Sequence, residues 1–182
     1  MMRFQISDFR FQIGIGAALL VCVLAAGVTV RAETIDRVLA VVAGDLITLS
    51  DVTAARELGL ETADGAADPV RAVLTRLIDR ELVLAEVERY APPEPTAAAV
   101  DREVQRVRER FPSADAFNAA LVRSGIDEKH LRETLRQNLR MAAYLDQRFA
   151  AAPDRRQALI DEWMTGLRRR ADVIDLYLAG VP

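Results

Sequence analysis

Residues 68–90 read DPVRAVLTRLIDRELVLAEVERY, and this stretch decides the fold. Asp68 is suited to cap the start of a helix, and Pro69 fits the first helical position, where no backbone N–H is needed. The apolar residues that follow recur every three or four positions, as on one face of a helix. They are Val70, Val73, Leu74, Leu77, Ile78, Leu82, Val83, Leu84 and Val87. This spacing predicts a long helix over residues 69–90 with a wide apolar stripe at the centre of the core.

More helices are predicted after this one. Three prolines between residues 92 and 95 end the long helix, because proline does not fit a helix interior. Apolar residues at helical spacing then alternate with breaks that carry good N-capping residues. These signals predict helices over residues 97–111, 114–123, 128–149 and 154–169, with Thr96, Ser113 and Asp127 as N-caps of the first three.

The segment 128–149 is the longest of these later helices, and it is strongly two-sided. Its apolar residues recur at helical spacing and predict one face turned toward the core. They are Leu131, Leu135, Leu139, Ala142, Leu145 and Phe149. The same pattern predicts that Arg132, Arg136 and Arg140 point away from the core.

Strands are predicted at both ends of the segment 33–182. Residues 35–42 and 46–49 are rich in Val, Leu and Ile around Gly44-Asp45, which is typical of a hairpin. Ser50 and Asp51 then predict the N-cap and first turn of a short helix, residues 51–58.

The end of the chain predicts a third strand at residues 172–178, where Ile174, Leu176 and Leu178 alternate. A lone hairpin is marginal in water, so this strand is expected to join it. The predicted fold is mostly α, with a small antiparallel sheet formed by an N-terminal hairpin and the C-terminal strand.

Residues 1–32 have the pattern of a cleavable signal peptide. Arg3 and Arg10 precede an uncharged run over residues 13–30, and the segment ends in Val30-Arg31-Ala32, with small residues where signal peptidase needs them. We therefore expect export to a periplasm and a single domain over residues 33–182. The alternative is an inner-membrane anchor formed by an uncleaved leader, because the uncharged run reaches the lower length limit for spanning a bilayer.

Composition limits the kinds of partner. The leader holds three of the 24 basic and one of the 27 acidic residues, so the remainder has a formal charge of −5, which disfavours nucleic acid. Cys22, the single cysteine, lies in the leader, so residues 33–182 contain no thiol for a disulfide. Their packing alone has to hold the fold together.

No catalytic or metal-binding motif is found in the sequence. His130 is the single histidine, and no serine or cysteine is marked by its context as a catalytic partner, so we expect a surface residue. Zinc usually takes several Cys or His ligands, and residues 33–182 hold one such residue in total. We expect no metal and no cofactor. What is left is apolar surface on several amphipathic helices, which suits a groove for peptides.

Several stretches resemble the SurA family of periplasmic chaperones. The hairpin segments IDRVLAVV (35–42) and ITLSDV (47–52) are similar to the opening of that family, and LIDRELVL (77–84) is similar to its second helix. The segment 111–149 resembles the helices that follow, and LRRRA (167–171) with the terminal strand resembles the closing element. The resemblance covers nearly all of residues 33–182 by short patterns of moderate specificity.

The resemblance implies a chaperone that binds unfolded polypeptides, outer-membrane protein precursors in transit, through a SurA N-terminal-like domain. Two departures stand out. Parvulin-type isomerase domains usually precede the terminal helix of this family, whereas here only residues 150–152 separate Phe149 from Pro153. We therefore expect no isomerase activity and no enzyme. At the hairpin turn, Ala43-Gly44 stands where relatives tend to carry asparagine.

Other functions stay open at this point. Beside the chaperone, the sequence allows a prolyl isomerase, which would need the missing domain, and an assembly or scaffold subunit that holds one fixed partner in the cell envelope. A homodimer by exchange of the terminal strand is also possible. For peptide binding, the widest stripes nominate Leu84, Val87, Phe117 and Leu121.

Overall fold

The computed structural model describes residues 36–63, 65–151 and 153–178. This part contains six α-helices, one short 3-10 turn and three strands. In chain order they are β1 (Val38–Val42), β2 (Asp45–Thr48), α1 (Leu49–Glu57), α2 (Pro69–Tyr90), α3 (Ala97–Arg108), α4 (Ala114–Ser124), α5 (Glu128–Arg148), the 3-10 turn (Pro153–Arg155), α6 (Arg156–Arg170) and β3 (Val173–Asp175). The predicted mostly helical fold with a small sheet is confirmed. The expected signal peptide, residues 1–32, lies outside the described residues.

Local capping chemistry sets most of the helix ends as predicted. Asp68, Thr96, Ser113 and Asp127 each accept a hydrogen bond from a backbone N–H of the first turn of the helix that follows. Gly125 ends α4 in the left-handed conformation, which glycine adopts at little cost. Helix α3 ends at Arg108 rather than at residue 111.

The N-cap of α1 is Thr48, and the prediction of Ser50 was wrong. Thr48 Oγ1 accepts a hydrogen bond from the Asp51 backbone N–H at 3.3 Å, and Asp51 Oδ2 accepts one from the Thr48 backbone N–H at 2.8 Å. This reciprocal capping box begins the helix two residues earlier than predicted. The residue that closes the hairpin therefore also starts the first helix.

The sheet has the strand order β2-β1-β3, so β1 is central and pairs antiparallel on both sides. Val41 is opposite Leu46 on one side and Ile174 on the other, so these three residues share one face. That face is turned to solvent, because Leu46 is 60% and Ile174 52% exposed. The terminal strand is shorter than the predicted 172–178, because it ends at Asp175, so of its alternating apolar residues only Ile174 lies within the sheet.

Two hydrophobic clusters are found in the described part, where the sequence predicted one core. The first cluster joins the inner face of the sheet to α1, α2, α6 and the second half of α5. The second joins the end of α1 to α3, α4 and the first half of α5. The surface between the two clusters is where a cleft forms.

Three polar contacts hold the end of the chain against α2. Arg168 binds Asp79 with two hydrogen bonds of 2.6 Å, and Arg71 pairs with Asp175. The Tyr177 hydroxyl donates a hydrogen bond of 2.8 Å to Oδ2 of Asp68, the N-cap of α2. The backbone N–H of Arg71 and this hydroxyl hold the pKa of Asp68 below its ordinary value of 3.8.

Removal of the Tyr177 hydroxyl tests this clamp. We expect Tyr177→Phe to lower the urea midpoint of unfolding at neutral pH, because Asp68 loses one of its donors. Because the pKa of Asp68 is lowered in the folded protein, the stabilisation that the ionised carboxylate gains from its donors is full above pH 3.8. It is lost as the pH falls through the lower, folded pKa. The difference between the two proteins should therefore shrink in acid. Tyr90→Phe, at an exposed tyrosine, is the control, and equal midpoints for all three proteins at neutral pH would contradict the clamp.

The hairpin turn is formed by Ala43 and Gly44 rather than by the predicted Gly44 and Asp45, and it carries backbone strain at the alanine. Ala43 has φ +52° and Gly44 has φ +98°, as in the mirror-image turns that match the twist of a hairpin. Only the glycine adopts this conformation freely, whereas for alanine it costs roughly 1 kcal/mol. The turn therefore forms because the strands on either side pair, and not because of its own preference.

We expect Ala43→Asn to stabilise the protein by about 0.5–1 kcal/mol, because asparagine tolerates the left-handed conformation better than alanine. Equilibrium urea unfolding measures the change. Ala119→Asn, at an exposed helical alanine, is the control and should destabilise slightly. An unchanged or lower stability for Ala43→Asn would show that the turn is not strained.

Candidate functional site

A cleft of about 470 Å³ lies between the hairpin, α1, α2 and α5. Helix α2 contributes Leu77, Arg80, Glu81, Leu84, Ala85 and Glu88, which recur every three or four residues and so form one face. Helix α5 contributes His130, Glu133, Thr134, Gln137 and Asn138, again at helical spacing. Two helix faces therefore oppose each other across the cleft.

The floor of the cleft is apolar. Leu77 and Leu84 of α2 are joined there by Ala54 and Ala55 of α1. All four are less than one-tenth exposed, because they also pack into the body of the protein. Ala85 is well exposed and lies along the open side of the cleft. An apolar side chain that entered the cleft would find a preformed surface to pack on.

Arg80 bridges the two facing helices. Its Nε donates to Asn138 Oδ1 at 3.0 Å and its Nη2 to Gln137 Oε1 at 2.7 Å, both on α5. Its Nη1 is 2.5 Å from Oε1 of Glu81, on its own helix. Each nitrogen of the guanidinium thus has one partner, and two of these bonds tie α2 to α5.

Two carboxyl groups of the cleft, those of Glu61 and Glu81, are partly removed from water. Burial raises the pKa of Glu81, opposed by Arg80 and reinforced by the nearby carboxylates Asp45 and Asp51. Burial also raises the pKa of Glu61, where Arg76 opposes the rise. Water therefore screens the charges of these two carboxylates less than it screens those of exposed ones.

A network of ion pairs closes the far end of the cleft. Arg140 of α5 lies 2.5 Å from Oε1 of Glu88, at the end of α2, and 3.0 Å from Oε1 of Glu94, in the proline-rich linker. Arg136 also pairs with Glu94, and it donates to Glu133, whose pKa it lowers. These contacts fasten the linker to α5.

The prediction that Arg140 points away from the core was wrong. Its side chain is 6% exposed, whereas Ala142, which was predicted to face the core, is exposed. Tyr144 is buried near it and contacts the aromatic rings of Tyr90 and Trp163. The core-facing stripe of α5 turns about the helix, because its second half packs on a different set of helices from its first half.

Arg140 is expected to be structurally important. Arg140→Met removes both ion pairs of a buried guanidinium and should destabilise the protein by about 1–3 kcal/mol. Arg106→Met is the matched control, because Arg106 also pairs with a glutamate but is 64% exposed, and a loss below about 1 kcal/mol is expected there. Urea unfolding measures the free energy of unfolding of both variants. An equal decrease for the two would mean that the buried ion pairs of Arg140 stabilise the protein no more than an exposed pair.

The structure distributes the four nominated peptide-binding residues over two regions. Leu84 lines the cleft. Val87 is fully buried in the first hydrophobic cluster, and Phe117 and Leu121, at 1% and 7% exposure, belong to the second. A client could reach only Leu84 without opening the protein. The wide apolar stripes indicated the core, while the site lies on faces of mixed composition.

A signal for the cleft was nevertheless present in the sequence. Arg80 and Glu81 interrupt the apolar stripe between Ile78 and Leu82. A charged pair inside a core helix indicates a face that is open to solvent. His130 is exposed, as predicted, and it lies at the rim of this cleft.

A second apolar surface lies on the outer face of the sheet. Leu46 and Ile174 are joined there by Leu176 and Leu178 beyond the end of β3, which are 46% and 65% exposed. Leu46 also lines the cleft, so the two surfaces meet at β2.

Within residues 36–63, 65–151 and 153–178, no group of three or more His, Cys, Asp or Glu side chains is arranged to hold a metal ion. Across the same ranges, no helix has the length and apolar composition that crossing a bilayer requires. Scans of protein-family models and of curated proteins found no match to the chain.

Proposed function

We propose that this protein binds unfolded polypeptide segments in the cleft between α2 and α5, as a non-enzymatic periplasmic chaperone of the SurA type. The observation that carries the proposal is the open cleft with an apolar floor and a charged rim. Peptide-binding sites commonly combine an apolar surface with a few fixed polar groups. The proposed clients are outer-membrane protein precursors, on the basis of the resemblance described above.

The edge of the sheet supplies a way to hold the backbone of such a client. Strand β2 is an edge strand, and its consecutive residues Asp45, Leu46 and Ile47 all line the cleft. Because successive side chains of a strand point to opposite faces, a contact with all three means that the strand edge itself borders the cleft. An extended peptide could add there as a fourth strand.

The side chains of the cleft favour binding over turnover. Arg80 already bonds to three partners, and Asp51 is held by the capping box. Glu88 and Glu133 are paired with arginines of the linker network. A preformed set of satisfied groups binds a ligand with little reorganisation.

A fixed-partner assembly subunit in the cell envelope is the second candidate function. The apolar outer face of the sheet favours it, because Leu46, Ile174 and Leu178 are each more than half exposed. Stable interfaces cover apolar surface of this kind. Co-purification of one stoichiometric partner would favour this function, whereas weak binding of many unfolded proteins would favour the chaperone.

The cleft can be blocked at one residue. Ala85 is an exposed helical alanine on the open side of the cleft, so a large side chain there should fill the space while leaving the core unchanged. We expect the purified protein to suppress aggregation of an unfolded outer-membrane barrel protein at near-stoichiometric ratio. Ala85→Trp should reduce this suppression about tenfold, measured as the concentration needed for half-maximal effect.

Ala119→Trp provides the control, because Ala119 is an exposed alanine of α4 that does not line the cleft. Both variants should unfold at the same urea concentration as the unmodified protein. Full suppression by Ala85→Trp would place the client elsewhere, and the outer face of the sheet would be examined next. A folded protein without any effect on aggregation would contradict the chaperone function.

A further inference from the structure

The charges of the cleft are unevenly distributed. Its lining includes six carboxylates, from Asp45, Asp51, Glu61, Glu81, Glu88 and Glu133, and a single arginine, Arg80. Three of the six are near arginines outside the lining, since Arg76, Arg140 and Arg136 pair with Glu61, Glu88 and Glu133 respectively. The remaining three lie at the hairpin end.

At the hairpin end, negative charge exceeds positive charge. Glu81 is paired with Arg80, whose other nitrogens are already bound to Gln137 and Asn138. Within the described residues, neither Asp45 nor Asp51 forms an ion pair, and Asp51 accepts only the capping hydrogen bonds of Thr48. All three carboxylates line the same cleft, and beside burial the negative charges of Asp45 and Asp51 add to the raised pKa of Glu81.

We infer that the cleft selects polypeptide segments in which a lysine or arginine stands beside apolar residues. The inference rests on the proposed function and names the class of client. The apolar side chains of the segment pack on Leu77 and Leu84, and the cation lies at the hairpin end near Asp45 and Glu81. A client cation there relieves the repulsion among the three carboxylates.

The geometry of an added strand agrees with this assignment. Asp45 begins β2, the edge on which a client strand would pair, and it is exposed. A side chain on an added strand lies directly opposite a residue of the edge strand. A lysine opposite Asp45 would therefore form a cross-strand ion pair beside the apolar floor. A glutamate at this position of the segment would be repelled by the carboxylates of Asp45 and Glu81.

Three labelled peptides test the inference. They share one length and one apolar sequence and differ at two positions, which carry lysine, serine or glutamate. Fluorescence anisotropy with the purified protein measures each affinity. We expect the order lysine, serine, glutamate, with lysine about fivefold tighter than serine at low salt. At about 1 M ionic strength, where the screening length is about 3 Å, the preference should largely disappear.

Neutral variants assign the preference to the hairpin end. Asp45→Asn with Glu81→Gln keeps the size of both side chains and should bring the affinities for the lysine and serine peptides to within about twofold of each other. Asp115→Asn with Asp154→Asn is the control, since it removes the same charge at exposed residues outside the cleft and should keep the preference. The single variant Asp45→Asn, at an exposed side chain, should reduce the lysine preference at least twofold. It replaces the double variant in the test if the double variant does not fold.

The outcomes separate this inference from the proposed function. Equal, saturable binding of all three peptides would overturn the inference and leave the function standing. A lysine preference that persists in the Asp45→Asn with Glu81→Gln variant would also overturn it, because the attraction would then come from the overall negative charge. If a folded protein binds none of the peptides, both the inference and the proposed function fail.

Discussion

The return of the terminal strand β3 to the N-terminal hairpin is the constraint on which the rest of the structure depends. β1 is central, so β3 pairs with it on one side and leaves β2 at the opposite edge. A two-stranded hairpin would be marginal in water, and the third strand makes it a sheet with a buried face. Among the described residues β2 pairs on one side only, and its residues Asp45, Leu46 and Ile47 line the cleft.

Helix α2 connects this constraint to the site. Its first turn receives the end of the chain, since Asp68 binds Tyr177 and Arg71 binds Asp175. Further along, Leu74 and Val87 pack in the first hydrophobic cluster while Leu84 lines the cleft. One helix thus serves the chain closure, the core and the proposed binding surface.

The cleft exists because the apolar surface is divided. The first cluster packs around the sheet, and the second packs around Phe117 and Leu131 at the other side of α1 and α5. The helix faces that line the cleft carry polar as well as apolar residues, and Arg80 spans the gap between them with hydrogen bonds that apolar residues could not make. Polar bridges of this kind keep two packed layers apart without burying unpaired groups. The result is a preformed cleft of about 470 Å³.

The sequence by itself determined the elements, their order and most of their ends. Proline breaks and the capping residues Asp68, Thr96, Ser113 and Asp127 act locally, through hydrogen bonds within a few residues, so they are readable without the fold. The strands were readable from short runs of apolar residues, which are also a local feature of the sequence. The choice of Thr48 over Ser50 was missed because both residues carry a hydroxyl that suits an N-cap, and the structure shows that the capping box forms between Thr48 and Asp51.

Only the tertiary structure decided which polar residues are buried and which helix faces stay open. The buried Arg140 forms ion pairs with Glu88 and Glu94, which lie some fifty residues away along the chain. Val87 and Phe117 are core rather than site because other helices cover them. Hydrophobic spacing shows that a face is apolar but not what packs against it, since burial is a property of non-local contacts.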